Sequence, residues 1–196
     1  MCLSDSTYEE GKVNVSDLGI YKKEYGRISC PTTPTNPGYL GAPVPVTGQT
    51  ASYATGDDGD LGKGVAWPNP RFTDNLDGTV TDNLTGLVWE QKTIDNKSIT
   101  YNWQEALAYC ENLSLAGHDD WRLPNIHELR SIIDYTRIHP SIDTTYFPNT
   151  ITWFYWSSTT YGEPAYAYPV DFNDGYVHNN YNKVGGYHVR AVRGGQ

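Results

Sequence analysis

The feature that most constrains the fold is a pair of amphipathic helices in the middle of the chain. Asn102 with Glu105, and Asn125 with Glu128, have the spacing of a capping box, in which side chains satisfy the free amides of a helix start. Apolar residues then recur at helical intervals. In the first helix they are Trp103, Ala106, Leu107, Cys110 and Leu113, and in the second Ile126, Leu129, Ile132 and Ile133. The pattern predicts two helices.

Strand patterns lie on both sides of these helices. In RFTDNLDGTVTDNLTGLVWEQ (71–91), Asp77 and Gly78 are flanked by β-favouring residues and predict a hairpin in which both have a positive φ. The strand that follows would bring Trp89 into the core. After Ile151 the helix pattern stops, and short strand-like segments alternate with Gly, Pro and Asn. This order predicts an α+β domain, with two helices segregated from short antiparallel strands.

Proline content divides the chain. The segment 30–49 is proline-rich, so we expect an N-terminal extension and linker over 1–48 and one ligand-binding domain over 49–196.

The formal net charge of −9 disfavours binding to nucleic acid. No apolar run is long enough to cross a membrane. The start MCLSDSTYEE lacks the basic and apolar parts of a signal peptide, which indicates either a cytosolic protein or an exported one after processing.

Five motifs in a fixed order resemble a known family. They are RFTDNLDGTVTDNLTGLVWEQ, WQEALAYCENL, DDWRLPNIHELRSIID, YWSSTTY and HVRAVRG. Together they are similar to the Lcl C-terminal (collagen-like-adhesin C-terminal) domain over about residues 47–196. The resemblance implies a C-type-lectin-like fold, shared with formylglycine-generating enzymes. It also implies export to the bacterial surface, and adhesion to sulfated glycans as the best understood role.

The expected location is the extracellular space or cell surface, or a phage particle. If the protein is exported and processed, Cys2 lies next to the processing site, where it would suit a lipid anchor. Family members often have a cysteine where this chain has Ala191, and that cysteine would pair with Cys110. Here Cys110 is expected to be free or paired with Cys30. The formylglycine-generating enzymes depend on cysteines late in the chain, and none follows Cys110, so we expect no enzymatic activity.

The same fold occurs in the variable proteins of diversity-generating retroelements. There, adenines in AAY-type codons near the end of the gene are randomised, which yields Asn, Tyr, His, Asp and Ser. The C-terminal part of this chain has that composition. The resemblance therefore adds a second hypothesis, that the chain is such a variable protein.

Tyrosine and asparagine also suggest a binding surface on chemical grounds. Tyrosine gives a large contact area at low entropic cost, and asparagine gives adaptable hydrogen bonds. The candidate ligand-binding residues are Tyr161, Tyr166, Asn173, Asp174, Tyr176, His178, Asn179, Asn180, Tyr181 and Asn182. The expected partner is a protein or a glycan on another cell or surface, and oligomerisation of the chain stays open.

Two other functions remain open at this point. One is an adhesin for sulfated glycans that uses Lys183, Arg190 and Arg193 against the sulfates, and the other is a structural module of an envelope or virion.

The oxygen-rich segments 74–83 and 55–60 have some features of calcium loops, although an Asp-Gly hairpin explains the first one equally well. We expect no cofactor and no metal site. We also expect Trp121 and Leu123 in the core, with Arg122 binding carboxylates.

Overall fold

The computed structural model describes residues 44–194. Predictions for Cys2, for Cys30 and for most of the extension over 1–48 lie outside the described residues. Three helices and seven strands lie within them. In chain order they are α1 (Asp58–Leu61), β1 (Phe72–Asp74), β2 (Thr79–Asp82), β3 (Val88–Glu90), α2 (Trp103–Glu111), α3 (Ile126–Ser131), β4 (Phe154–Thr160), β5 (Tyr166–Asp171), β6 (Tyr181–Asn182) and β7 (Val192–Arg193).

The strands form two antiparallel sheets, which confirms the α+β class. One sheet has the order β1-β2-β3-β7, so that the last strand of the chain pairs with β3. The other has the order β4-β5-β6, with a register shift in β4 between Trp156 and Thr160. Both predicted helices lie between the two groups of strands in sequence.

The β1–β2 hairpin is present, but its backbone differs from the prediction. Positive φ angles occur at Leu76 (61°) and Gly78 (87°) rather than at Asp77 and Gly78. Asp77 instead uses its carboxylate to accept hydrogen bonds from the amide and the hydroxyl of Thr79 (3.1 and 2.6 Å). The loop is therefore longer than a two-residue turn, and its aspartate serves as an internal acceptor.

Both predicted helices begin with the predicted capping boxes. Asn102 and Glu105 exchange side-chain and backbone hydrogen bonds at the start of α2, and Asn125 and Glu128 do so at the start of α3. Helix α3 ends before Ile132, although that residue is buried as predicted. The short α1 was not predicted, because the Gly- and Asp-rich segment around it suggested only irregular loop.

The core consists of two clusters of buried side chains. The first lies between the β1-β2-β3-β7 sheet, α3 and one face of β4 and β5; its largest members are Trp89, Phe147, Tyr155 and Phe172. The second joins α2 to the opposite face of β4 and β5, and contains Cys110, Trp121, Leu123, Trp156 and Ala191. The predicted core positions Trp89, Trp121 and Leu123 are thus confirmed.

Charged side chains connect the elements. The guanidinium of Arg122 binds both carboxylate oxygens of Glu128 at 2.7 Å, which confirms the predicted bidentate role. Deeper in the protein, the Glu90 carboxylate accepts hydrogen bonds from Lys92 Nζ (2.8 Å), from the Tyr109 hydroxyl (2.5 Å) and from the backbone amide of Ala191 (3.0 Å). Glu90 therefore joins β3, α2 and the segment that leads into β7.

Candidate functional site

Most of the predicted binding residues lie on a hairpin in the second sheet. After β5 the chain turns through residues 172–175, and the amide of Asp171 donates to the Tyr176 carbonyl (2.8 Å) across the turn. The return segment follows β5 closely, since the His178 amide donates to the Pro169 carbonyl (3.0 Å) and Tyr181 pairs with Ala167 in β6. The polar sequence HNNYN is thus one side of a hairpin.

The turn of this hairpin needs particular residues. Gly175 has a φ of 84°, and a Cβ atom there would lie 2.7 Å from Ile133 Cγ2, so a side chain is excluded. The carboxylate of Asp174 accepts a hydrogen bond from the Tyr176 amide (3.1 Å). Asn173 Oδ1 lies 2.6 Å from His139 Nδ1. The side chains of Asn173 and Asp174 are therefore engaged in holding the turn.

Aromatic rings gather beside the hairpin. We call this group the aromatic face; it consists of Trp153, Phe154, Tyr176, His178, Tyr181 and Tyr187. Phe154 is at its centre, with ring centroids 5.0 Å from Trp153, 5.0 Å from His178, 4.7 Å from Tyr181 and 5.6 Å from Tyr187. Tyr176 joins through His178 at 6.4 Å. The tilted and edge-to-face angles of these pairs are those that aromatic quadrupoles favour.

The aromatic face runs from the core to the surface. Phe154 is only 8% exposed, whereas Trp153 is 52% and Tyr176 is 67% exposed. On the inner side, the ring of Tyr187 packs on buried Trp156 at 4.8 Å. Rings that are supported in this way lose little further conformational freedom when they contact a ligand.

Two residues with side-chain amides separate His178 from Tyr181 in the sequence. Asn179 and Asn180 are exposed, and neither side chain forms a hydrogen bond to any residue that the structure describes. Asn180 has a φ of 64°, a left-handed conformation that asparagine tolerates better than most residues. The hairpin thus presents two amides with unused donors and acceptors beside exposed rings.

The other predicted residues lie elsewhere on the sheet. In the β5–β6 pairing Tyr166 is opposite Asn182, and Ala167 is opposite Tyr181. Because successive strand residues point to opposite faces, Tyr166 and Asn182 are on the face away from Tyr181. The ring of Tyr161 packs on Tyr168 (5.4 Å) on its own, and no ring contact joins it to the aromatic face within residues 44–194. The predicted set is therefore divided between two faces.

Sequence reasoning missed three members of the aromatic face: Trp153, Phe154 and Tyr187. The aromatic run around Trp156 suggested only a core strand. A sharper signal was the excess of consecutive rings in TWFYW, since a strand with one buried face needs only every second residue to be apolar.

The structure contradicts the sulfate-binding set proposed from the sequence. Arg190 is 0% exposed and donates to the Glu90 carbonyl and to Thr150 Oγ1 (both 2.8 Å). Arg193 is paired with Asp120 at 2.7 Å. Lys183 Nζ lies 3.8 Å from the ring centroid of Trp103, and it donates to Thr160. These three cations do not form one site, because residues close in sequence here alternate between core and surface.

One phenol of the aromatic face, that of Tyr181, has a shifted pKa. Desolvation raises the pKa of the Tyr181 hydroxyl, and the nearby Tyr187 and Asp171 raise it further. At neutral pH this phenol is therefore protonated and can donate a hydrogen bond. The six rings and the two amides include no Lys, Arg, Asp or Glu side chain.

The oxygen-rich segment 74–83 uses its carboxylates internally. Asp82 binds Arg71 through both oxygens (2.9 Å each) and is fully buried. Asp74 accepts from the Leu76 amide, and Asp77 from Thr79. In the part of the chain that the structure describes, no three His, Cys, Asp or Glu side chains come together as a metal site. The hairpin interpretation therefore accounts for these carboxylates without calcium.

The second core cluster contains Cys110 as a free, buried thiol. Desolvation and the charge of Glu90 raise the pKa of this thiol, so it is protonated and unreactive at neutral pH. Ala191 belongs to the same cluster. Cys110 and Ala191 are thus members of one buried cluster.

Comparison with known proteins identifies one family. The model of the Lcl C-terminal domain matches residues 78–193, which include α2, α3, the hairpin after β5 and β7. The search of curated proteins finds no match to the chain. Across residues 44–194, none of the helices combines the length and the apolar character needed to cross a membrane. Since the match covers more than half of the sequence, the chain belongs to the Lcl C-terminal domain family, a family of surface-associated, adhesin-like proteins.

Proposed function

We propose that this chain is a non-enzymatic ligand-binding protein of C-type-lectin-like fold, displayed outside the cell, which binds its partner through the aromatic face and the amides of Asn179 and Asn180. The main support is the exposure of Trp153 and Tyr176 at the ends of a packed array of rings. Large exposed rings with a rigid base are typical of binding hot spots.

The packing behind the rings gives further support. Phe154 contacts four other rings of the face, so exposed Trp153 is held in place before a ligand arrives, and Tyr176 contacts His178. The hairpin turn is also fixed by Gly175 and Asp174. Such preorganisation reduces the entropy lost on binding and therefore raises the affinity.

The proposal predicts that surface changes abolish binding without unfolding the protein. Tyr176→Ala removes an exposed ring, and Asn179→Ala removes an exposed amide. The double variant should no longer bind to cells that carry the ligand. Flow cytometry of fluorescently labelled protein on intact bacterial, yeast and animal cells measures the loss. The melting temperature should stay within a few degrees of the wild type, because neither residue is buried.

A matched control is Tyr53→Ala, since Tyr53 is an exposed tyrosine outside the aromatic face. This variant should bind like the wild type. Tyr181→Ala is a poor test, because the Tyr181 ring packs on Phe154 and Tyr187 and its loss would destabilise the hairpin. Cell binding that survives in the double variant would show that the function lies elsewhere on the protein.

The structural-module hypothesis makes a different prediction. A module of an envelope or virion would form a stable oligomer, and it would bind none of the cells at any concentration tested. Light scattering of the purified protein, together with the same cytometry, distinguishes the two functions.

A further inference from the structure

We infer that a cavity between α3 and the segment 44–47 binds a small organic acid, that is, a single carboxylate on an apolar body. The cavity has a volume of about 440 Å³. None of the six rings of the aromatic face lines it, so the inference goes beyond the proposed function and does not depend on it. Three properties of the cavity support it: an apolar wall, a fixed shape and an unpaired cation.

The wall of the cavity is mainly apolar. Val44, Val46 and Trp67 line it from the N-terminal part of the described chain, and Ile133 and Tyr135 line it from the segment after α3. Ile133 is buried, whereas Val44 and Tyr135 are exposed. The cavity therefore extends from the surface to the core, and its volume is in the range of sites that hold small molecules.

The shape of the cavity is fixed by contacts within the protein. The guanidinium carbon of Arg71 lies 5.0 Å from the centroid of the Trp67 ring. A Cβ atom at Gly48 would lie 2.6 Å from Trp67 Cη2, so the backbone at Gly48 approaches the ring closely. The Val46 amide donates to the Val65 carbonyl (3.1 Å) and holds the segment 44–47. Because the wall is formed in advance, a ligand would lose little free energy in ordering it.

Arg130 supplies a cation at this cavity. Its Nε donates to the Tyr135 hydroxyl (2.8 Å), which orients the guanidinium. Its two terminal nitrogens form no hydrogen bond or ion pair with residues 44–194. Two adjacent N–H groups of a guanidinium can bind both oxygens of one carboxylate. His127 also lines the cavity, and an imidazole has an N–H donor in either protonation state.

The charges around the cavity favour one anionic group. No aspartate or glutamate lines it, although the chain has a formal net charge of −9. Glu128 and Asp134, the acids nearest to Arg130 in the sequence, are paired with other arginines. Asp58 accepts a hydrogen bond from the hydroxyl of Thr47. Arg130 therefore has no counterion in the described part of the chain, and one carboxylate would neutralise it.

Titration calorimetry with the full chain tests the class of ligand. Three acids, naphthoate, phenylbutyrate and octanoate, are compared with their primary amides, which have the same apolar bodies and no charge. At least one acid should bind with a Kd of about 1 mM or lower. Its amide should bind at least about tenfold more weakly, because the charge-assisted bonds to Arg130 are lost.

Variants locate the site. Arg130→Gln should weaken binding of that acid by about tenfold or more. Arg130→Lys keeps the charge but not the two-point geometry, so its affinity should lie between those of Arg130→Gln and the wild type. Arg193→Gln is the matched control, since Arg193 does not line the cavity, and it should bind like the wild type. Circular dichroism melting verifies that each variant is folded.

A spectroscopic measurement reports on the cavity wall directly. In proton–nitrogen correlation spectra, the indole signal of Trp67 should shift as the acid is added. This signal is assigned by its loss in Trp67→Phe. The indole signal of Trp153, assigned in Trp153→Phe, should not move, because Trp153 belongs to the aromatic face and does not line the cavity.

Three results would overturn the inference. They are the failure of all three acids to bind, equal affinity for an acid and its amide, and wild-type affinity of Arg130→Gln. None of them bears on the proposed function, which is tested separately by cell binding of the Tyr176 and Asn179 double variant.

Discussion

At the scale of single residues, Glu90 has the most buried partners of any acid described here. Its carboxylate is 2% exposed, and it accepts from Lys92, Tyr109 and the amide of Ala191. A buried charge is tolerated only when its hydrogen bonds are complete. Since these partners come from three separate parts of the chain, Glu90 determines how those parts meet.

Replacing this acid should destabilise the whole domain. In Glu90→Gln the negative charge is lost, so Lys92 would keep a buried positive charge without its counterion, and we expect a loss of about 3–5 kcal/mol in the free energy of unfolding. Urea denaturation followed by fluorescence measures it. Asp120→Asn, which breaks the exposed pair with Arg193, is the matched control and should change stability little. Equal stability of the two variants would contradict this role of Glu90.

The residue scale also explains why the three cations predicted to bind sulfates do not form one site. Sequence shows that Lys183, Arg190 and Arg193 are near one another in the chain, but it does not show which is buried. Arg190 lies over the ring of Phe147 (4.8 Å from its centroid) and binds the Glu90 carbonyl. An arginine that satisfies a buried carbonyl has the same sequence signature as one that binds a ligand.

At the scale of elements, the sequence predicted the features that depend only on residues close together in the chain. The capping boxes at Asn102 and Asn125 predicted the starts of α2 and α3, because a cap needs only residues within one helical turn. The aromatic face could not be predicted in the same way. It joins Trp153 with Tyr187, and their proximity depends on the bridge between β4 and the segment at His188.

The hairpin turn after β5 should be sensitive to one methyl group. Gly175→Ala places a Cβ atom at a positive φ and in contact with Ile133 Cγ2, so we expect a loss of at least about 1 kcal/mol in the free energy of unfolding. Ligand binding should weaken as well, because Tyr176 follows the turn. Thermal melting and the cell-binding assay measure the two effects.

Gly162→Ala is the control for this change. Gly162 is exposed, and nothing lies within 4 Å of a Cβ atom built there. The control should keep both stability and binding. If Gly175→Ala behaves like this control, the turn tolerates side chains, and its geometry does not restrict the position of Tyr176.

At the scale of the whole molecule, the C-terminal region combines fixed and permissive positions. Asn173, Asp174 and Gly175 hold the turn, whereas Tyr176, Asn179 and Asn180 are exposed. Substitution at the exposed positions leaves the core intact. We propose that a diversity-generating retroelement, if it acts on this gene, varies the exposed positions and leaves the turn constant.

Genomic sequencing tests that proposal. The expected result is a nearby reverse-transcriptase gene and a near-copy of the 3′ coding region that differs only at adenines. The near-copy should have AAY-type codons at the positions that correspond to Tyr176, Asn179 and Asn180. Gly175 should have the same codon in both copies. A locus with neither the reverse transcriptase nor the repeat would refute the retroelement hypothesis, without bearing on ligand binding.

The place of β7 in the first sheet has a consequence for the order of folding. This strand pairs with β3, and the amide of Ala191 reaches the Glu90 carboxylate across 101 positions of sequence. Contacts so distant along the chain form slowly, because a long loop must close before they contribute any stability. During synthesis, β3 therefore has an unpaired edge, and Glu90 lacks its hydrogen bond from Ala191, until β7 has emerged from the ribosome. The hairpin after β5 lies inside that loop, so its exposed side chains can change without altering the step that completes the fold.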